Sequence, residues 1–363
     1  MKWEKRRACL GQSPWGRRFL WLLSLAYGAG VRVRGLLYDL RVLRSQRVNA
    51  KVVCIGNLTT GGTGKTPATI LAALTLRRRD HPVAILSRGY GRPKKGAEVC
   101  VLHDDTEMDW KRCGDEPWMM HQILKGQGVP ILVSADRVGA AAQAVTFFNS
   151  RVIILDDGFQ HRRLARDLDV VLINAMEPLD GRMLLPLGDL REPLSALRRA
   201  QIIMLTHVDL ATEESLAALR EEIRRANPQA SLLEAVHKPD LLLEVKTQTK
   251  HRFDHLKGRP VATVSALASP RQFEACLEHS GVPIAQRWRY PDHHRYTRRE
   301  LASIDHLRGG LPLVTTFKDL VKFPADWRDI LGGEVFALGI KLDIIKGKNI
   351  WIDTLVELAG GKT

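Results

Sequence analysis

The sequence of 363 residues is poor in cysteine, and its few cysteines are scattered. There are five of them, and none forms a C-x-x-C pair. This spacing argues against a zinc site and against a disulfide framework, so a reducing compartment is expected. The chain also lacks internal repeats and low-complexity tracts. With 45% hydrophobic and 26% charged residues, it is predicted to be globular, and it is long enough for two domains.

Acidic residues are nearly absent from the first fifty positions. Eleven lysines and arginines stand there against Glu4 and Asp39, so this segment carries +9 of the net charge of +15. Positive charge concentrated in one segment indicates an anionic surface as its partner, either membrane lipid or nucleic acid.

Apolar residues in the same segment favour the membrane. Residues 19–27 are almost wholly apolar, and arginines and the aromatic residues Trp15, Trp21 and Tyr27 accompany them. The apolar face continues at helical spacing through Leu22, Leu25, Ala29, Val33, Leu36, Leu40 and Leu43. The uninterrupted run is shorter than the roughly 20 residues that a spanning helix needs. We therefore predict an amphipathic helix in the interface of an anionic membrane, not a nucleic-acid-binding arm.

Two alternatives stay open for this helix. A basic segment before a short apolar stretch is also typical of a signal peptide, although no convincing small-x-small cleavage site follows. The helix could instead pack on the core of the next domain through its apolar face.

A glycine-rich turn follows the first predicted strand. Its residues are Thr59, Thr60, Gly61, Gly62, Thr63, Gly64, Lys65 and Thr66. Between a strand and a helix, such a turn is typical of a nucleotide phosphate site: backbone N–H groups converge on phosphate oxygens, Lys65 adds a charge, and the Thr66 hydroxyl can hold Mg²⁺. Thr59 stands where the general G-x-x-x-x-G-K-[ST] pattern has glycine. The alternative is an ordinary glycine-bearing turn with a surface lysine.

Strands and helices alternate after residue 50, which predicts a parallel α/β sheet. The predicted strands are 52–56, 82–86, 130–133, 151–155, 169–174 and 201–205, and the predicted helices are 65–78, 115–125, 137–148 and 213–226. A second, smaller α/β unit follows a connector around 246–257. Its predicted strands are 260–265, 285–290, 313–316 and 335–340. The expected organisation is a basic helical region (1–50), a P-loop domain (51–235), a smaller α/β domain (236–345) and a C-terminal helix (346–363).

Acidic residues occur at two places on the expected ligand-binding edge of the sheet. The apolar run 152–155 ends at Asp156 and Asp157, as in a Walker B element, and a carboxylate there could complete an Mg²⁺ site with Thr66. Asp115 and Glu116 begin a predicted helix. Asp115 is explained equally well as a helix cap and as a base near an acceptor hydroxyl.

Basic and polar residues follow other strands of the predicted sheet. Arg88 and Arg191 could clamp phosphate bidentately, and Lys318 could do so as a point charge. Gln160 and His161 add polar groups at the same edge.

Two histidine-containing segments are less specific. In the segment 290–296, His293 and His294 follow Asp292; a histidine there could relay a proton or orient a carboxylate, and a solvated loop is an equal alternative. The segment Thr206–Asp209 is faintly similar to a nucleotide-base motif, although Asp209 is more simply a helix cap.

Taken together, these motifs resemble the tetraacyldisaccharide 4'-kinase family, the lipid A 4'-kinases of Gram-negative bacteria. The matching motifs, in the family's order, are Gly56-Asn57-Leu58, Gly61-Gly62-Thr63-Gly64-Lys65-Thr66-Pro67, Ser87-Arg88-Gly89-Tyr90-Gly91, Gly114-Asp115-Glu116-Pro117, Asp156-Asp157-Gly158-Phe159-Gln160-His161, Leu190-Arg191-Glu192-Pro193, Pro291-Asp292-His293-His294 and Thr316-Phe317-Lys318-Asp319. They span almost the whole chain after residue 50. Thr59 in place of glycine is itself a feature of this family.

The resemblance implies a kinase that transfers the γ-phosphoryl group of ATP to the 4'-hydroxyl of an acylated glucosamine disaccharide 1-phosphate. It implies that Lys65 and the glycine-rich turn hold the phosphates. It also implies that Mg²⁺ is bound by Thr66, by Asp156 or Asp157, and by Glu116. The family's catalytic aspartate and histidine correspond to Asp115 and His293, the latter preferred to His294 because it directly follows Asp292. The enzyme would act at the cytoplasmic face of the inner membrane. Its oligomeric state is open.

Two other classes of function are alternatives to the kinase. A membrane-associated P-loop ATPase or GTPase switch would hydrolyse nucleotide without regard to glycolipid. A nucleic-acid-binding protein would show a steep salt dependence and no requirement for ATP. Neither class explains the motifs around Asp115 and His293.

Overall fold

The computed structural model describes residues 10, 12–89, 99–104, 110–177, 179, 181–267, 270–292 and 294–360. Two parts of the predicted site lie outside these residues. They are His293, the predicted catalytic histidine, and the end of the motif that begins at Ser87, from Tyr90 onward.

Helices and strands alternate as the sequence predicts. The helices are α1 (Pro14–Asp39), α2 (Lys65–Arg77), α3 (Trp110–Cys113), α4 (Asp115–Leu124), α5 (Arg137–Phe148), α6 (Glu213–Ala226), α7 (Pro270–His279), α8 (Arg298–Leu307), α9 (Phe317–Leu320), α10 (Trp327–Ile330) and α11 (Lys348–Leu358). The strands are β1 (Lys51–Asn57), β2 (Val83–Ser87), β3 (Cys100–Leu102), β4 (Ile131–Val133), β5 (Val152–Asp156), β6 (Leu168–Asn174), β7 (Ile202–Thr206), β8 (Ser231–Glu244), β9 (Thr249–Arg252), β10 (Val261–Ser265), β11 (Ile284–Arg289), β12 (Leu313–Thr316) and β13 (Val335–Lys346).

One mostly parallel sheet contains all of these strands. Its order is β11-β10-β12-β13-β8-β7-β6-β1-β5-β2-β4-β3, with β9 paired to β8 outside this path. Strands β1, β5, β6 and β7 are continuous apolar runs because helices cover both faces of the sheet. The carboxyl ends of β1 and β5 are adjacent, since Ile55 pairs with Asp156. The sheet therefore brings the glycine-rich turn and the paired aspartates together, and the predicted α/β fold is confirmed.

Strands β8 and β13 join the two halves of the sheet. The start of β8 pairs in parallel with β7, whereas most of its length pairs antiparallel with β13, from Glu244 opposite Phe336 to Glu234 opposite Lys346. The sequence analysis predicted β13 only as far as residue 340 and did not predict β8. The predicted connector around 246–257 contains β9, which folds back on β8 as a hairpin.

Helix α1 lies on the surface of the molecule. Ser13 caps its first turn by accepting a hydrogen bond from the Gly16 amide, and Pro14 begins the helix. Its buried residues are Gly16, Leu20, Ser24 and Gly28, four positions one turn apart. The large apolar side chains on its other faces are exposed, among them Leu22, Leu25, Val33 and Leu36.

This exposure argues against the alternative of a core helix, because the predicted apolar stripe faces away from the protein. The prediction that this segment is too short to span a membrane was wrong. Although the uninterrupted apolar run is short, the helix has 26 residues and is long and apolar enough to cross a membrane. Signal sequences near an N-terminus share this length and composition.

The last helix, α11, returns to the half of the sheet that carries the glycine-rich turn. Its Trp351 is buried among the core side chains of that half, and its indole N–H donates to the Thr75 hydroxyl of α2 at 3.4 Å. The sequence left open which half this helix would join.

Candidate active site

The glycine-rich turn lies between β1 and α2 and is held at Thr63 by two hydrogen bonds. The Asn57 side chain donates to the Thr63 hydroxyl at 3.0 Å, and the Thr206 hydroxyl at the end of β7 donates to the Thr63 carbonyl at 3.1 Å. Gly64 precedes α2 with φ of 81°, a left-handed conformation that favours glycine. The exposed residues Thr60, Gly61 and Gly62 form the open side of the turn.

Two adjacent aspartates at the end of β5 have different environments. Asp156 is buried, and its two carboxyl oxygens accept from the hydroxyls of Thr69 at 3.1 Å and Ser87 at 3.3 Å. Burial, reinforced by Glu116 and Asp157, raises the pKa of Asp156 to about 7. At Asp157 the backbone turns left-handed, with φ of 49°, and its carboxylate points to a different set of partners.

Asp157 forms ion pairs with two basic residues of the site, Lys65 and Arg191. Its carboxylate lies 3.7 Å from Nζ of Lys65 and accepts from Nη1 of Arg191 at 2.9 and 3.0 Å. Burial alone would raise the pKa of Asp157, but Lys65 and Arg191 outweigh burial and lower it. At neutral pH Asp157 is therefore ionised and engages the cations that a nucleotide would need.

Asp115 and Glu116 begin α4 and lie beside this cluster. Asp115 accepts from the Glu116 amide at 3.0 Å through Oδ1, so its capping contact is confined to the next residue. Burial raises the pKa of Glu116, while Lys318 opposes that shift and Asp115 reinforces it. Lys65 and Asp157 also act on Glu116, so the two pairs of carboxylates belong to one electrostatic cluster.

Gln160 and His161 follow the aspartates on the same loop. The Gln160 side chain donates to the Asn57 carbonyl at 3.0 Å, and its Oε1 lies 3.5 Å from Nη1 of Arg191. Burial lowers the pKa of His161 to about 4, with Arg137 and other nearby arginines adding to the shift. His161 is neutral at physiological pH, and its buried Nε2 has no hydrogen-bond partner in the described part of the chain.

Arg137, the first residue of α5, is a site residue that the sequence analysis missed. It is buried, and its Nε makes no hydrogen bond among the described residues. Burial lowers the pKa of its guanidinium; Arg88 adds to that shift, and Asp156 and Asp157 oppose it. Arg88 itself is exposed. A sequence signal existed: Arg137 begins a helix just after β4, at the same edge as the other clusters.

The second half of the sheet contributes a loop with Asp292 and His294. Asp292 lies 3.6 Å from Nζ of Lys318, which connects this loop electrostatically to Glu116. His294 contacts the Glu300 carboxylate at 3.1 Å through Nε2 and stacks on Tyr290 with ring centroids 4.6 Å apart. These contacts give His294 a role in holding the start of α8. His293 lies outside the described residues.

Candidate magnesium ligands are gathered at the end of β5, but they do not form a complete cage. Among the described residues, no group of three or more acidic, histidine or cysteine side chains is arranged to hold a metal ion. Mg²⁺ usually keeps several waters and binds through one or two carboxylates and the substrate phosphates. A threonine hydroxyl and an aspartate at the turn suit that chemistry, so Thr66, Asp156, Asp157 and Glu116 fit such an ion.

A cleft opens beside the glycine-rich turn, between β7 and α7. The rings of His207 and His237 stack there with centroids 4.1 Å apart. A Cβ at position 64 would lie 2.6 Å from Nε2 of His237, so the His237 ring packs directly against the turn. Burial lowers the pKa of His237 to about 3, with His207 adding to the shift, so the ring is neutral. The other lining residues include Asp209, Leu267, Phe273, Cys276 and Ile340.

Comparisons with known proteins agree with this geometry. A family model described as tetraacyldisaccharide-1-P 4'-kinase matches residues 16–357. A tetraacyldisaccharide 4'-kinase of Elusimicrobium minutum is 46% identical to this chain, and the match covers 96% of this chain and 93% of the relative. A tetraacyldisaccharide 4'-kinase of Anaeromyxobacter sp. (strain K) is 38% identical, and that match covers 96% of this chain and 92% of the relative. The crystal structure of LpxK from Aquifex aeolicus in complex with ATP is 30% identical, covers 94% of this chain and 99% of its own, and has a TM-score of 0.74. The chain belongs to the tetraacyldisaccharide 4'-kinase family.

Proposed function

We propose that this protein transfers the γ-phosphoryl group of ATP to the 4'-hydroxyl of a tetraacyl glucosamine disaccharide 1-phosphate, giving lipid IVA. The observation that carries the proposal is the single electrostatic cluster of Lys65, Asp157, Asp156, Glu116 and Asp115, which joins the glycine-rich turn, the end of β5 and the start of α4. A phosphate-binding turn, carboxylates for a metal ion and a further carboxylate for the acceptor hydroxyl are the parts that phosphoryl transfer needs.

Each residue of the cluster has a proposed task. Lys65 and the amides of residues 61–66 hold the β- and γ-phosphates. When it binds the nucleotide, Lys65 gives up its ion pair with Asp157. Arg191, Gln160, His161, Arg88 and Lys318 hold the phosphates of ATP or of the lipid. Asp115 takes the proton of the acceptor hydroxyl, with His293 as its partner.

Thr66, Asp156, Asp157 and Glu116 would hold Mg²⁺. When bound, the ion neutralises part of the charge on the phosphates. Asp156 is held by hydrogen bonds from Thr69 and Ser87, whereas Asp157 would have to exchange its contact with Lys65. The residues of this chain therefore supply one rigid and one exchangeable carboxylate.

We also propose that the base of ATP lies in the cleft of His207 and His237. Ligand sites are mostly apolar with a few polar groups, and this cleft has apolar side chains, two neutral imidazole rings and the Asp209 carboxylate. Its walls come from both halves of the sheet, which we propose are domains 51–235 and 236–345. Binding of nucleotide there would draw the two halves together and exclude water from the transfer.

Filling this cleft should weaken binding of ATP selectively. Cys276→Trp is expected to lower the affinity for ATP about tenfold, equivalent to losing about 1.4 kcal/mol of base contacts. Inorganic tripolyphosphate has no base, so its affinity should be unchanged. Isothermal titration of both ligands checks this. Equal affinities of the variant and the wild type for ATP would exclude the base from this cleft.

We propose that α1 binds the protein to the cytoplasmic face of the inner membrane. The exposed side chains of Leu22, Leu25 and Leu36 offer apolar area to the acyl region, and the basic residues of the segment suit anionic headgroups. The acylated substrate resides in such a membrane, so the helix would bring the site to it.

Polar substitutions on the exposed face of α1 should release the protein from vesicles. Leu22→Glu with Leu25→Glu is expected to weaken partitioning into anionic vesicles by at least tenfold, because each leucine contributes about 1.5–3 kcal/mol when buried. Sedimentation with vesicles measures this. Phe147→Glu with Ile350→Glu, at exposed apolar positions elsewhere, is the matched control. Unchanged partitioning of the helix variant would contradict membrane binding through this face.

Chromatography of the lipid product tests the proposed function. Purified protein is incubated with γ-labelled ATP, Mg²⁺ and the tetraacyl disaccharide 1-phosphate in mixed micelles. Label in the lipid is expected, and its position is read by mild acid hydrolysis, which releases the 1-phosphate first. Nucleotide hydrolysis without labelled lipid would favour the P-loop switch and reject the kinase.

A further inference from the structure

The segment 183–191, here called the bridging loop, contacts three parts of the molecule. Within the loop, Leu190 donates from its amide to the Met183 carbonyl at 3.1 Å, and Leu185 donates to the Leu190 carbonyl at 2.9 Å. Gly188 is tightly enclosed, since a Cβ there would lie 1.9 Å from the Met183 carbonyl oxygen. The loop is therefore a compact unit.

The first contact of the bridging loop is with the glycine-rich turn. The Thr60 amide donates to the Asp189 carbonyl at 2.8 Å, and the Arg191 amide donates to the Leu58 carbonyl at 2.7 Å. These two bonds flank Thr59 and tie the start of the turn to the loop. A shift of the loop is thereby transmitted to the backbone that receives phosphate.

The second contact is with Asp157, through the side chain of Arg191. The guanidinium holds both oxygens of the Asp157 carboxylate at 2.9 and 3.0 Å. The bridging loop thus positions a cation in the centre of the candidate active site as well as the turn beside it.

The third contact is with the inner face of helix α1, through the hydroxyls of Ser24 and Tyr27. The Ser24 hydroxyl donates to the Leu184 carbonyl at 2.7 Å, and the Tyr27 hydroxyl donates to the Arg191 carbonyl at 2.9 Å. A Cβ at Gly28 would lie 2.7 Å from a methyl carbon of Leu184, so the helix packs closely against the loop at this position.

We infer that helix α1 sets the geometry of the phosphate site through the bridging loop, and that Tyr27 and Ser24 are positioning residues for Arg191. The helix has its apolar side chains on the outside and these two hydroxyls on the inside. Its seating on the lipid surface and the orientation of Arg191 are therefore coupled by two hydrogen bonds. This inference rests on the proposed kinase function for its activity test.

A further contact of α1, made by Arg34, agrees with this arrangement. Arg34 donates through Nη2 to the Gln160 carbonyl at 2.8 Å, and Gln160 in turn lies beside Arg191. The helix thus holds main-chain atoms of both loops whose side chains meet at Asp157. The contacts reach backbone carbonyls, so they act on the position of the loops and leave the charged side chains available to ligands.

A double-mutant cycle between Tyr27 and Arg191 tests the coupling. Tyr27→Phe removes one hydroxyl and is expected to lower kcat/KM for the lipid about three- to tenfold, the equivalent of one hydrogen bond. In an Arg191→Lys background the same change should cost less than about twofold, because coupled residues are not additive. Tyr38→Phe on the same helix is the matched control; the Tyr38 hydroxyl makes no hydrogen bond among the described residues, and its ring contacts Arg34 and Arg162.

Equal losses from Tyr27→Phe in both backgrounds, or a loss no larger than that of Tyr38→Phe, would overturn the inference. Vesicle partitioning should be the same for all variants, which separates positioning from membrane binding.

Hydrogen exchange gives a readout that does not depend on the reaction. The amides of Leu185, Gly188 and Leu190 should exchange faster in Tyr27→Phe and in Ser24→Ala than in the wild type or Tyr38→Phe. Unchanged exchange in both variants would reject the coupling. If the wild type fails to label the lipid, the kinase proposal fails, while this measurement still decides whether the helix holds the loop.

Discussion

Asp115→Asn should lower phosphoryl transfer to the lipid by about a thousandfold, within the range of roughly 10²–10⁴ that a general base contributes. Asparagine keeps the oxygen that accepts from the Glu116 amide, so α4 should begin as before. It cannot take the proton of the acceptor hydroxyl. The affinity for ATP should stay close to that of the wild type, because Asp115 makes no contact with the glycine-rich turn in the described part of the chain.

Single-turnover transfer and isothermal titration of ATP together check this prediction. Asp353→Asn, an exposed carboxylate on α11, is the control for a change of one charge. A loss of ATP affinity would move Asp115 from the acceptor side to the nucleotide site. Full activity of the variant would exclude it as the base.

Lys65→Ala should reduce transfer by about 10²–10³, the usual cost of removing one group that stabilises charge in the transition state. Its ammonium group lies 3.7 Å from Asp157, at the first turn of α2, where phosphate is expected. Affinity for ATP should fall as well, because the lysine charge acts on the bound nucleotide as well as on the transition state.

The same variant changes the environment of Asp157. Without Lys65, the carboxylate keeps its ion pair with Arg191 and the more distant charge of Arg137 among the described residues. Kinetics at saturating ATP separate the loss in kcat from the loss in binding. Lys51→Ala, an exposed lysine at the start of β1, is the control. Transfer at the wild-type rate in Lys65→Ala would contradict a phosphate role for the turn.

Motifs at strand ends could be predicted because their chemistry is local. A buried strand before a glycine-rich turn and a helix after it place Lys65 at the start of that helix, independently of the rest of the chain. Parallel topology then requires the end of β5, with Asp156 and Asp157, to lie beside that turn, and Ile55 pairs with Asp156 as this reasoning expects.

Residues whose role depends on burial could not be predicted in the same way. Arg137 reads as an ordinary first residue of a helix, yet it is buried among the charged groups of the site. Adjacent in sequence, Asp156 and Asp157 differ because one faces the hydroxyls of Thr69 and Ser87, and the other turns toward two cations. His294 was an alternative for catalysis, but its contacts with Glu300 and Tyr290 are visible only in three dimensions.

The sequence by itself determined that this protein has a P-loop α/β fold, a basic apolar N-terminal helix and the motifs of the tetraacyldisaccharide 4'-kinase family. Those properties rest on periodicity, turn chemistry and the order of motifs along the chain. Only the tertiary structure decided which face of the helix is buried, how β8 and β13 join the two halves, and that Tyr27 reaches Arg191 across 164 positions. Such contacts depend on how elements pack, and no local pattern of residues encodes them.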